Sequence, residues 1–300
     1  MTISAKIIAD SETADGVRVT TFLLRYPRFI HSELMTHRLF SRNASSSRAI
    51  PVLKIIEDIR RDPAMPVHWG KNQSGMQAKE EMSGWKKWAM KKLWIGGMYL
   101  MTAVAKVASK LGAHKQIVNR LIEPWSHITV VVTSTNYTNF FALRSHPDAQ
   151  PEIKVLSDLM KECYYKSMPL VLKDGDWHLP FIRNSDREAA AAYLLTVDHK
   201  KYEMKRALVF IPALTSLLIR VSVSRCARTS YTLHDGKETT FEADIGLYDR
   251  LLSSKPLHAS PAEHQCTPDY KRMHNWATPA FHGNLEGVIQ YRKLLDGEFQ

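Results

Sequence analysis

Between His127 and Thr135 the chain carries Ile128, Val130, Val131 and Val132, a run of β-branched residues that reads as a strand buried on both faces. Such a strand needs further layers to cover it, which fits helices packed on a sheet. The neighbouring segments fit that demand. Residues 5 to 25 read as extended, with Val17, Val19, Thr21 and Leu23 interleaved with Arg18, Thr20, Phe22 and Leu24, and Pro27 closes the strand. A helical turn or two follows from Phe29 to Arg38. A polar loop, residues 41 to 48, then runs to Pro51. Residues 76 to 123 read as mostly helical and stop at Pro124.

Further along, Ile153, Leu156, Met160, Cys163 and Tyr164 share one face of a helix over Glu152 to Lys166. More helix is expected within 186 to 225, and Asp244 is placed to cap a helix carrying Ile245, Tyr248, Leu251 and Leu252. No repeat, low-complexity tract or Gly/Ser linker divides the chain. The expectation is one α+β domain over residues 1 to 300, an antiparallel or mixed sheet flanked by helices, with 51 to 120 as a helical insertion.

The 300 residues are 44% apolar, enough for a substantial core, and Lys plus Arg exceed Asp plus Glu by 41 to 30. A net charge of +11 favours an anionic partner: nucleic acid, a nucleotide or a phosphate-bearing cofactor. Cys163, Cys226 and Cys266 form neither a disulfide framework nor a CxxC pair, which points to a reducing, cytoplasmic setting. The first residues lack a signal-peptide core. The longest apolar run, Leu93 to Ala105, is too short for a bilayer, which needs ~20 residues, and reads as a buried helix with no membrane partner.

Residues 37 to 48 concentrate chemistry. Arg38, Arg42 and Arg48 lie among Ser41, Ser45, Ser46, Ser47, His37 and Asn43, which supply planar cations, hydroxyl donors and close backbone approach for a phosphate. The plain alternative is a solvated basic loop. The spacing His37-Arg38-x-x-Ser41-x-Asn43-x-x-Ser46-x-Arg48 resembles the signature of flavin-dependent thymidylate synthases. Asn139-Phe140-Phe141-x-Leu143-Arg144 with Ala149-Gln150-x-Glu152-Ile153 is similar to that family's second block. Cys226-Ala227-Arg228-Thr229-Ser230 and His258-Ala259-Ser260-Pro261-Ala262-Glu263-His264 look like blocks that precede the signature in ordinary members. Here they follow it, so the resemblance implies a circularly permuted order.

The resemblance also implies an activity: transfer of a one-carbon unit from methylenetetrahydrofolate to deoxyuridylate, with NADPH as reductant and FAD as cofactor. His37, Arg38, Leu39, Asn43, Asn139, Ser230, Ser260 and Glu263 would hold the flavin. Glu33, Ser46, Ser47, Arg48 and Arg144 would bind the pyrimidine deoxynucleotide. Arg144 would be catalytic, stabilising negative charge on the activated ring. Family active sites lie between subunits of a tetramer, so a homo-oligomer is implied.

Other readings stand beside these. Arg144 could pair with Glu152, Ser230 and Ser260 could be turn residues, and Cys163 reads as core. His258 and His264 flank Glu263, but the spacing is not that of a HExxH zinc site, so no metal is expected. Two positions depart from the family: Glu33 stands where glutamine is usual, and Thr36 where arginine is usual. Both departures move charge against an anionic substrate. They leave open dCMP as substrate or 5-hydroxymethyl-dUMP as product. A non-catalytic nucleic-acid-binding protein is the alternative of another class, disfavoured because no aromatics are interleaved with the Arg/Ser loop.

Overall fold

The computed structural model describes residues 3–197, 206–229, 239–254 and 257–298. Its centre is a mixed five-stranded sheet with strand order β3-β4-β2-β1-β5. These are β1 (Ser4–Thr13), β2 (Arg18–Pro27), β3 (Ser41–Ala44), β4 (His127–Ser134) and β5 (Leu170–Leu172). β5 runs parallel to β1, and the other pairings are antiparallel. β4 falls where the β-branched run places it, and β2 ends on Pro27.

Residues 5 to 25 form a hairpin rather than one extended stretch. The break is at Asp15-Gly16, where Gly16 takes φ +79°, a conformation glycine adopts without a Cβ penalty. A second correction concerns 41 to 48. Ser41 to Ala44 is a strand, pairing Ser41 with Thr133 and Asn43 with Val131. Short polar residues hid it, because an edge strand gains its stability from the ladder and not from an apolar face.

Alternation along β2 sorts its side chains into two layers. Phe22, Leu24 and Tyr26 join Val130, Val132, Phe140, Ile153, Leu156 and Met160 in the largest core, beneath α6 (Pro151–Lys166). That helix forms as its spacing predicts, with Pro151 in its first turn and the Gln150 side chain accepting from Ile153 N. Cys163 packs half-buried against this core.

The opposite face of the sheet carries Val19, which packs with Cys266, Leu285 and Val288 from the C-terminal segments. Beside it runs a buried polar chain. Thr21 Oγ1 meets His178 Nε2 at 2.7 Å and Thr133 Oγ1 at 2.7 Å, and Thr133 Oγ1 meets His264 Nδ1 at 2.8 Å.

Helices α2 (Val52–Arg61), α3 (Gly84–Lys110) and α4 (Lys115–Val118) form a second cluster around Ile55, Ile59, Met98 and Ile122. The stretch 93 to 105 is helical as expected, but it is not buried. Leu93, Tyr99, Leu100 and Val104 are exposed, because only the face of Met98, Thr102 and Ala105 meets the neighbouring layer.

Helices α7 (Asn184–Val197), α8 (Arg206–Arg228) and α9 (Phe241–Ser253) build a third cluster. The cap of α9 is Thr240, not Asp244. The Thr240 side chain accepts from Ala243 N, whereas Asp244 lies inside the first turn, fully buried against Arg225 and Arg228. The stretch Val209–Arg228 of α8 is long and apolar enough to cross a membrane by length and composition. Its buried Ser222 and Ser224 bond to Pro180 O and Asp244 O, as in the core helix of a folded domain.

Candidate active site

Pro27 ends β2, and the chain turns through α1 (His31–Met35) before reaching β3. This short helix delivers Glu33, Thr36 and His37 to one spot. From the other side, α5 (Thr138–Arg144) presents Arg144 at its last residue. The Arg144 guanidinium donates through Nε to His37 Nε2 at 3.0 Å, through Nη1 to Glu33 Oε2 at 3.1 Å, and through Nη2 to Thr36 Oγ1 at 3.1 Å. Arg144 therefore pairs with Glu33, not Glu152. The latter is buried and accepts from Val67 N at 2.6 Å.

His37 is held by aromatic contacts, stacked on Phe40 and edge-on to Phe140. Because Nε2 accepts from Arg144, the ring is neutral with its proton on Nδ1. Burial, then Arg144, then Arg42 hold its pKa below the ordinary 6.5. Protonation would set two donors against each other. Arg42 staples the corner, donating to Met35 O at 2.9 Å and His37 O at 3.2 Å. Around this cluster Met35, Leu39 and Leu143 expose apolar surface, and Arg38 and Asn139 are exposed polar groups.

β3 points Ser41 and Asn43 into the protein. Asn43 Nδ2 donates to Cys226 O at 2.6 Å. Gln290 Nε2 bridges Ser41 Oγ at 3.2 Å and Glu263 O at 3.0 Å. The 3-10 turn Ser260–Glu263 thus sits against the strand that follows His37, with Ser260 exposed and Glu263 paired to Arg292. Burial raises the Glu263 pKa despite the opposing pull of Arg292 and Arg42. Ser230 lies outside the described residues.

The second half of the motif faces a different feature. Ser47 Oγ donates to Glu123 Oε1 at 2.7 Å, Ser46 is half-buried and Arg48 is exposed. Ser47 lines a cavity of about 210 Å³ with Arg25, Arg28, Arg61, Asn119 and His127 and with the carboxylates of Asp58, Asp62 and Glu123; Arg25 pairs with Asp62 at 2.8 Å and Arg61 with Asp58 at 2.7 Å. Two buried atoms of its lining residues, Asn119 Oδ1 and His127 Nε2, have no hydrogen-bond partner among the described residues. Burial first, and then Arg25, push the His127 pKa down to about 4. Sequence reasoning missed Arg25, Arg28, Asn119 and His127. They converge because Pro27 pairs with His127 across β2 and β4, and no local motif announces that pairing.

A sequence profile described as thymidylate synthase complementing protein matches residues 17–170, just over half of the chain. The chain belongs to this family. It is accordingly an enzyme of the flavin-dependent thymidylate synthase type, whose chemistry is flavin-dependent methylation of a pyrimidine nucleotide at C5. The match contains the 37 to 48 signature and the 139 to 153 block, while the blocks at 226 and 258 lie beyond it.

No curated protein matches the sequence. Among solved structures, the UMP/dUMP methylase PolB from Streptomyces cacaoi with 5-Br dUMP aligns at TM-score 0.47 and 16% identity, over 57% of this chain and 91% of its own. The same methylase with 5-Br UMP gives 0.46 and 16%, over 57% and 90%. Thymidylate Synthase X from Helicobacter pylori with FAD and dUMP gives 0.35 and 15%, over 49% and 67%.

Proposed function

We propose that this chain moves a one-carbon unit from methylenetetrahydrofolate to C5 of a pyrimidine deoxynucleotide, converting dUMP to dTMP with NADPH as reductant and FAD as cofactor. The observation that carries this reading is the Arg144–His37–Glu33–Thr36 cluster. It fixes one cation beside the signature histidine at the end of a helix, with apolar surface around it.

The residues fit a flavin. Met35, Leu39 and Leu143 offer exposed apolar surface for a planar ring, and Arg38 offers a cation for a diphosphate. Asn139, Ser260 and Glu263 would contribute polar contacts, with Ser230 as a further candidate and Asn43 acting through its hold on Cys226. When bound, FAD supplies the reducing equivalents. In the same reading, the contact of the Ser260–Glu263 turn with β3 supports a permuted block order.

Arg144 would place positive charge where the pyrimidine ring becomes anionic, and His37 Nε2 orients its guanidinium. Ser46 and Arg48 would take the nucleotide phosphate with Arg28 beside them, while the Ser47 hydroxyl is given to Glu123 and the other cavity arginines, Arg25 and Arg61, are paired to Asp62 and Asp58. A neighbouring copy could supply one of these two halves.

The test combines binding and turnover. FAD should titrate stoichiometrically into both wild type and Arg144→Ala by calorimetry, while Arg144→Ala loses turnover by roughly 10² or more. Failure of the wild type to bind FAD would remove the reading.

A further inference from the structure

Helix α3 gives only one face to the core. Met98, Thr102 and Ala105 are buried, and Met98 and Ala105 pack with Ile55, Ile59 and Ile122. On the opposite side Trp85, Leu93, Leu100, Val107 and Leu111 are each more than half exposed. At 3.6 residues per turn these positions fall on one stripe, running from the first turn of the helix to the residue that caps it. The stripe is about 40 Å long, because the helix has 27 residues.

The polar residues beside this stripe carry one sign of charge. No Asp or Glu occurs from residue 82 to 122. Lys86 borders the stripe on one side, and Lys92 and Lys110 border it on the other. Among the described residues, the one lysine of α3 with a carboxylate partner is Lys87, paired to Glu81 at 2.6 Å. Helix α6 shows what an ordinary solvated face looks like in the same molecule. There Lys154 pairs with Asp158 and Lys166 with Glu162, each one turn away. The outer face of α3 has neither the acids nor the polar residues of such a face.

Apolar side chains between rows of lysine match the boundary layer of an anionic bilayer. Leucine and valine enter the acyl region, while lysine stems lie along the apolar surface and their ammonium groups reach lipid phosphates. Tryptophan favours the same boundary, and Trp85 and Trp88 are both exposed at the start of α3. We propose that α3 docks this protein on a membrane surface rich in anionic lipid, with the helix axis parallel to the surface. The helix does not cross, since its inner face stays in the core and its apolar run is shorter than the ~20 residues of a span.

Charge and shape together select this occupant. Nucleic acid shares the negative charge, but phosphates and stacked bases gain nothing from exposed leucine and valine. A second copy would set the same lysines against these.

The test is co-sedimentation of the full chain with vesicles of phosphatidylcholine alone and of phosphatidylcholine mixed with phosphatidylglycerol. The wild type should bind the mixed vesicles and not the neutral ones, and binding should weaken as salt rises. Replacing the three bordering lysines together, Lys86→Gln, Lys92→Gln and Lys110→Gln, should weaken binding roughly a hundredfold. Leu93→Gln with Leu100→Gln should weaken it roughly tenfold or more while leaving every cation in place. Both variants should melt as the wild type does, because the sites are exposed and glutamine suits a helix as well as leucine or lysine.

No binding to the mixed vesicles at low salt would overturn the proposal. So would equal binding to neutral vesicles, or binding that the leucine variant leaves unchanged. Retention of a double-stranded oligonucleotide without vesicle binding would overturn it in favour of nucleic acid. None of these outcomes depends on flavin binding or turnover.

Discussion

Arg144 stands at the end of α5 with Glu33, Thr36 and His37 as its partners, and this sets the charge of the site. Taken one residue at a time, Glu33 and Thr36 look like two losses of positive charge. In the fold they are ligands of the same guanidinium, so the cluster is neutral and Arg144 is oriented instead of free. Replacing Glu33 with Gln keeps the shape and removes the counter-charge. We expect KM for dUMP to fall severalfold with a smaller change in kcat, since charges a few ångströms apart in a partly solvated site interact by about 1–4 kcal/mol. Steady-state kinetics check this, and a KM that stays the same or rises would show that Glu33 does not oppose substrate. This cluster was only half legible in the sequence. The spacing of His37, Arg38, Ser41, Asn43, Ser46 and Arg48 marked the region, but contacts across more than a hundred residues leave no local pattern.

At the scale of elements, α7, α8 and α9 meet through charge. Arg225 donates to Asp186 at 2.6 Å and to Asp244 at 3.0 Å, while Arg228 reaches Asp244 at 2.7 Å. Arg225→Ala strips partners from a buried carboxylate and from Asp186, and should cost about 3–5 kcal/mol. Chemical denaturation measures this, and a loss below about 1 kcal/mol would mean that the apolar contacts of these helices dominate. Periodicity located β4, α6 and the helical stretch around α3 because their apolar residues recur at the spacing of their structure. It failed for β3, whose stability comes from pairing with β4. It also failed for the exposure of α3, since an apolar helix facing outward and one facing inward have the same composition.

Across the whole molecule, the C-terminal segments cover the second face of the sheet, where His178 and His264 are buried in neutral form, and His127 is buried beside Asp62 at the far end of β4. Burial holds His178 and His127 at about 4 and His264 at about 3, against 6.5 in an unfolded chain. These are depressed pKa values of basic groups, so the unfolded state takes up protons first as pH falls. Stability is therefore full above about pH 6.5 and declines below it, by about 2 kcal/mol per histidine at pH 5. Urea midpoints at pH 7.5 and pH 5 check this, and equal midpoints would contradict it. The family match and the paired blocks around β3 make a chemical claim, which is tested most directly by following the carbon. The FAD-loaded protein is incubated with NADPH, dUMP and methylenetetrahydrofolate labelled in its one-carbon unit, and the nucleotide is analysed by mass. The expected product is dTMP carrying the label in its C5 methyl group; unlabelled, unchanged dUMP from protein that has bound FAD would contradict the proposed function.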